Sequence, residues 1–179
     1  MLSKPLLLIG LRSCGKSTVG RALAEQLQLD FFDSDQVITA HYFAQTGKRL
    51  GCEKIHQIIG EVEFRVLETE AIKQLSKINE PAVIATGGSC MLSKKNIALL
   101  QNKTFVIYLR ANMATLQQRW QKNPPIFINV KALSAELDRY YEQRASLYQS
   151  LADICVAVDE QTIDDIVRKI VTAKKLALS

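Results

Sequence analysis

The stretch Leu6-Leu7-Leu8-Ile9-Gly10-Leu11-Arg12-Ser13-Cys14-Gly15-Lys16-Ser17 decides the fold. Its first four residues form an uninterrupted apolar run, the mark of a strand buried on both faces of a parallel sheet. Gly10 to Ser17 then fit the pattern G-x-x-x-x-G-K-[ST] in full. Beyond the loop, Val19, Leu23 and Leu27 recur at helical spacing, which predicts a helix over 16–28. Strand, glycine loop and helix in that order make a phosphate cradle. Gly10 and Gly15 let the backbone curl until successive N–H groups point inward, and the helix contributes the positive end of its dipole. Arg12, Ser13, Cys14 and Thr18 are expected to line the bound polyphosphate. Lys16 should reach its β- and γ-groups, and the Ser17 hydroxyl should ligate Mg²⁺.

Further along, Ala82–Ala85, Phe105–Leu109 and Ile154–Val158 repeat the short apolar run, with Phe31-Phe32 as a shorter candidate. Helical spacing marks 61–77, 112–121, 134–150 and 162–176, so strands and helices alternate. That alternation defines an α/β domain with a doubly wound parallel sheet. At 179 residues, the chain is expected to form a single domain over 1–179. Lys122-Asn123-Pro124-Pro125 breaks the helical pattern, because proline lacks the helical N–H. A mobile flap is expected there, at about 122–132.

Composition sets outer limits. With 47% hydrophobic and 23% charged residues the chain is an ordinary globular sequence. No apolar run nears the roughly 18 residues of a membrane span. The net charge of +5 comes from 23 Lys and Arg against 18 Asp and Glu. These positive residues are scattered, with only Lys169, Lys174 and Lys175 near a cluster, which suits a small anion better than nucleic acid. Cys14, Cys52, Cys90 and Cys155 lie far apart, without a zinc-type or disulfide spacing, so a reducing cytoplasm is expected. The loop alone identifies a nucleotide. Lacking an Asn-Lys-x-Asp guanine reader, the chain is expected to use ATP.

The acceptor must be read from weaker signals. Asp33 and Asp35 flank Ser34 after the second strand, where carboxylates can face the cleft beyond the sheet's carboxyl edge. One is placed to serve Mg²⁺ and the other to accept from a substrate hydroxyl, although such pairs also cap helices. Arg65 and Glu68 are three apart on one helix, a spacing shared with ordinary surface ion pairs. Thr86-Gly87-Gly88 follows the third long strand, where paired glycines admit close backbone approach. Arg144 precedes Leu147-Tyr148 on a late helix.

In this order, over nearly the whole chain, these elements resemble the shikimate kinase family. The resemblance rests on Gly10–Ser17, Asp33-Ser34-Asp35, Phe64-Arg65-x-x-Glu68, Ala85-Thr86-Gly87-Gly88 and Arg144-x-x-Leu147-Tyr148. It implies a nucleoside-monophosphate-kinase type of fold with a five-stranded parallel sheet ordered 2-3-1-4-5. It also implies transfer of the ATP γ-phosphoryl group to the 3-hydroxyl of shikimate, with Mg²⁺ held by Ser17 and Asp33. By the same resemblance Arg65 and Arg144 grip the shikimate carboxylate, and Asp35 and the Gly87-Gly88 backbone hold its hydroxyls. Lys16 and Asp35 are the catalytic candidates, Arg119 stacks on adenine, and the 159–162 turn closes the adenine pocket. A monomer is the expected state, since one cleft contains every group.

The sequence departs from the family at three points. Ser13 stands where a glycine is frequent, and Ser89 replaces a third glycine after Thr86. The flap lacks the arginine that the family closes onto ATP, reading Pro124-Pro125-Ile126-Phe127 instead. Arg12, Lys122, Lys131 and Arg139 are the candidate replacements. A kinase of another small hydroxylated metabolite such as gluconate, a nucleoside monophosphate kinase, and a catalytically weakened nucleotide-binding homologue are the rival readings.

Overall fold

A computed structural model of the chain describes residues 4–122 and 134–177. Five strands form one sheet: β1 (Leu6–Ile9), β2 (Asp30–Asp33), β3 (Ala82–Ala85), β4 (Phe105–Arg110) and β5 (Ile154–Ala157). Their order is β2-β3-β1-β4-β5, and every pairing is parallel. This is the expected order, and it puts β1 at the centre. Leu6 pairs in register with Val83 on one side and Phe105 on the other. All four β1 side chains are fully buried, as the unbroken apolar run requires. Burying each one contributes about 1.5–3 kcal/mol, so the strand carrying the phosphate loop is firmly anchored in the sheet.

The helices are α1 (Lys16–Leu27), α2 (Ser34–Thr46), α3 (Cys52–Leu75), α4 (Lys94–Leu100), α5 (Met113–Lys122), α6 (Ser134–Leu151) and α7 (Ile163–Ala177). Helix α1 ends at Gln28, which turns left-handed at φ 54° and donates its N–H back to Ala24 and Glu25. Two differences from the sequence reading bear on function. Helix α2 was not marked by periodicity, and α3 begins at Cys52 rather than near residue 61. These segments pack together around Ile38, Tyr42, Ile55, Phe64, Leu67 and Ala71, a small core apart from the main one. Gly60, at φ 83° and ψ 172°, interrupts α3 with non-helical backbone.

The flap expected at about 122–132 falls outside the described residues, apart from the backbone of Lys122 at the end of α5. Lys131 lies there too. Among the described residues no helix is long and apolar enough to cross a membrane.

Candidate active site

The phosphate loop joins β1 to α1 at the carboxyl edge of the sheet. Gly10 adopts φ 144°, and a Cβ there would lie 2.6 Å from the Leu109 carbonyl oxygen, so only glycine fits beside β4. Gly15 caps α1 with φ 104°. Ser13 takes φ 67°, a left-handed conformation that favours the glycine it replaces. Ser89, the other replacement, sits at φ −117° without strain.

Lys16 is buried and folds back over the loop, donating to the carbonyl oxygens of Gly10 and Leu11 at 2.8 Å each. Arg119 of α5 donates to the Ser13 carbonyl at 2.8 Å, and Trp120 Nε1 donates to that of Arg12 at 3.3 Å. Helix α5 thus clamps the loop from outside. Ser17 donates its hydroxyl to Asp33 Oδ2 at 2.6 Å. Asp33 Oδ1 accepts from the Asp35 N–H at 3.0 Å, which makes Asp33 the N-cap of α2 as well. The capping reading of the Asp-x-Asp pair therefore holds for Asp33, whose second oxygen is engaged by Ser17.

These groups line a cleft of about 1000 Å³. Arg12, Ser13, Cys14, Gly15, Lys16 and Ser17 form its floor, with Thr18 and Arg119 beside them. Val158, Ile163 and Ile166 add apolar lining to it.

A second recess opens beside the first, lined by His56, Phe64, Arg65, Glu68, Ser89 and Tyr140. Arg12, Asp35, Cys52, Glu53, Gly87 and Gly88 line both. Arg65 donates through Nε to Glu61 at 2.8 Å and through Nη1 to both oxygens of Glu68, at 3.1 and 3.0 Å. Glu68 is buried, and that burial raises its carboxyl above the usual range despite the attraction of Arg65.

Arg144 does not line the recess itself. It stacks on the Tyr140 ring at 3.5 Å from the centroid and donates to the Tyr140 carbonyl at 3.3 Å. Its Nε–H is buried without a hydrogen-bond partner among the described residues. Tyr140, Arg144 and Tyr148 are spaced four apart on one face of α6. Tyr148 donates its hydroxyl to the Gly88 carbonyl, docking that face onto the loop after β3. Burial raises the Tyr140 phenol, while the charges of Arg144, Arg12 and Arg65 pull it down. Of these three guanidinium groups, Arg144 is the one stacked on the ring.

Gly87 and Gly88 are small for reasons the sequence did not reveal. A Cβ on Gly87 would stand 2.9 Å from Asp35 Oδ1, and one on Gly88 2.7 Å from the Arg12 nitrogen. The Gly87 N–H already donates to Ser34 Oγ at 2.8 Å. Protein walls and neighbouring Asp33 raise the Asp35 carboxyl, although Lys16 and Arg12 act against them. Burial and three nearby carboxylates push the Cys52 thiol far up, leaving it inert.

Sequence reasoning missed Glu53, His56 and Tyr140. His56 Nε2 lies 2.7 Å from Glu61 Oε2, and its ring packs edge-on to Phe64. None of the three belongs to a short motif, and helix periodicity was the only signal available.

A phosphate loop on a 2-3-1-4-5 sheet, sharing walls with a recess of arginines and carboxylates, defines a P-loop kinase of a small molecule. A family model described as shikimate kinase matches residues 12–175. The chain belongs to the shikimate kinase family, and hence to the ATP-dependent kinases of alcohol acceptors. A shikimate kinase of Burkholderia lata is 36% identical over 171 residues, covering 94% of this chain and 89% of the relative. One of Chromobacterium violaceum is 37% identical over 166 residues, covering 92% and 86%. The solved shikimate kinase of Acinetobacter baumannii, in complex with shikimate, superimposes with a TM-score of 0.84. It is 28% identical, and the match covers 97% of this chain and 93% of that one.

Proposed function

We propose that the protein transfers the γ-phosphoryl group of ATP to the 3-hydroxyl of shikimate, acting as one domain and as a monomer in the cytoplasm. One observation carries this reading: the nucleotide cleft and the acceptor recess share walls at Arg12, Asp35 and Gly88, so their occupants meet at Asp35. Four free cysteines suit a reducing compartment.

Lys16 gives up the Gly10 and Leu11 carbonyls for the β- and γ-phosphates, exchanging neutral acceptors for charged ones. Ser17 and Asp33 present hard oxygen donors side by side, a set that fits Mg²⁺. Held by Ser17 and Asp33, Mg²⁺ would supply positive charge to offset the negative charge of the polyphosphate. Arg119 and the 159–162 turn hold the base. Arg65 is oriented by Glu61 and Glu68 toward the recess, where it pairs with the acceptor's carboxylate. Arg144 stacks on Tyr140, whose ring lines the recess, and so adds positive charge behind that wall. Asp35 accepts the hydrogen bond of the reacting hydroxyl, and its raised carboxyl makes it a better proton acceptor than an ordinary aspartate. In-line positioning does most of the work, because phosphoryl transfer passes through a loose transition state. Arg12, which reaches both cavities, takes the place of the flap arginine.

The test is ADP release with and without shikimate, in wild type and in Arg65→Ala. The variant should raise the shikimate KM about a hundredfold or more, corresponding to loss of charge-assisted bonds of about 1.5–3 kcal/mol each, and leave the ATP KM within twofold. An unchanged shikimate KM would make Arg65 a surface-pair residue and remove the acceptor assignment.

A further inference from the structure

We propose that Glu53 is a positioning residue for phosphoryl transfer: it holds the Arg12 guanidinium by one terminal nitrogen across the gap between the two cavities, leaving the other N–H groups to face the group in transit. The proposal rests on the reading of the cavities given above and adds to it a residue that no motif contains.

The main chain of Arg12 is fixed on two sides. Its carbonyl accepts from Trp120, and its nitrogen and Cα lie against Gly88 with no room for a methyl between. A long side chain on a fixed base still has four rotatable bonds, and orienting them costs up to about 2 kcal/mol of rotamer freedom. Glu53 removes that freedom at the far end by accepting from Nη2. Guanidinium carries five N–H donors, and no other acceptor for the Arg12 side chain is found among the described residues. The remaining edge is therefore available.

Glu53 stands in the first turn of α3, where the helix dipole favours its negative charge. Both partners line both cavities. The Arg12 charge also reaches the Asp35 carboxyl, the proposed contact of the accepting hydroxyl.

A purely structural role accounts poorly for the pair. Its side chains are 32% and 47% exposed, and exposed ion pairs stabilise a fold by about 0–1 kcal/mol. Geometry is the commodity that matters here. Charge in the transition state spreads over the equatorial phosphoryl oxygens, and a misplacement of about 1 Å can cost about 10²-fold in rate.

The test measures ADP release at saturating ATP and shikimate in Glu53→Ala, Glu53→Gln, Arg12→Ala and the Glu53→Ala/Arg12→Ala double variant. Glu53→Ala should lower kcat about tenfold, with both KM values within twofold and the melting temperature within about 2 °C. Glu53→Gln, whose amide oxygen still accepts from Nη2, should recover most of the loss. Adding Glu53→Ala to Arg12→Ala should change nothing further. An unchanged kcat, a loss confined to KM, a drop in melting that tracks the rate, or additive losses would each overturn the proposal. Slow hydrolysis of ATP by water, measured in the same variants, needs no shikimate. There Glu53→Ala must show a similar loss, and equal hydrolysis in variant and wild type refutes the role of Glu53 even if shikimate proves not to be the acceptor.

Discussion

Replacing Gly88 by alanine perturbs the contact on which the two cavities depend. The new Cβ would stand 2.7 Å from the Arg12 nitrogen and 3.1 Å from its Cα and Cβ, whereas ordinary contact starts at 3.4 Å. The two nearest opposing atoms are backbone, in a residue tied to Trp120, so they have little freedom to yield. The loop after β3 and the phosphate loop must separate by about 0.7 Å, the difference between 3.4 and 2.7 Å. Gly88 is not among the residues with positive φ, so the effect is steric alone. Overpacking of this kind costs about 1–3 kcal/mol. At this chain length each kcal/mol moves the melting temperature by about 2–4 °C, giving a fall of about 2–12 °C. The separation also exceeds the roughly 0.5 Å within which a productive site must be held, so kcat should fall about 10- to 100-fold. Thermal melting and coupled ADP release read the two effects separately. Gly87→Ala makes the comparison: its nearest atom is the Asp35 Oδ1, a side-chain oxygen able to swing aside, so its melting should drop less. A Gly88→Ala protein that melts within 1 °C of wild type and turns over within twofold would refute the reasoning.

Ser13→Gly should raise the melting temperature by about 1–3 °C, since a left-handed residue other than glycine costs about 1–2 kcal/mol and glycine returns part of that as chain entropy. Asp35→Asn should abolish most turnover yet stabilise the fold at neutral pH. The sign follows from the raised carboxyl: the folded state holds the proton more tightly than the unfolded chain, so ionisation weakens the fold as pH climbs through the folded value. The advantage of the amide must therefore shrink as pH falls toward the ordinary aspartate range, and a melting difference independent of pH would count against it. For the same reason the acid limb of the wild-type rate profile should lie above that of an unperturbed aspartate.

The parts of the fold legible in the letters were those encoded locally. Leu6–Ile9 and Ala82–Ala85 are buried on both faces, and their continuous apolar runs say so. The phosphate loop is legible because glycine, lysine and serine at fixed spacing serve one purpose. Helix α2 was hidden because its buried positions, Ser34, Ile38 and Tyr42, include one polar residue and make a narrow stripe. In α3 the exposed Ile58, Val62 and Val66 blur the contrast between faces, and the break at Gly60 shifts the phase. At the site, Arg65 and Glu68 could be paired because one turn of helix joins them. Arg12 and Glu53 are 41 residues apart, and only the sheet order brings them together. The need for glycine at 88 is likewise tertiary, set by a neighbouring loop rather than by a turn.

The break at Gly60 has a consequence for how such an enzyme can change. It divides one long rod into two shorter helical stretches joined by non-helical backbone. The stretch before it carries Glu53 and His56; the stretch after it carries Arg65 and Glu68. On the proposed roles, drift in the first would retune the Arg12–Glu53 pair without swinging Arg65 and Glu68. A continuous helix would couple the two, because each 100° of rotation at one end would be passed to the other. One residue of positive φ thus separates the two groups of side chains along a single segment.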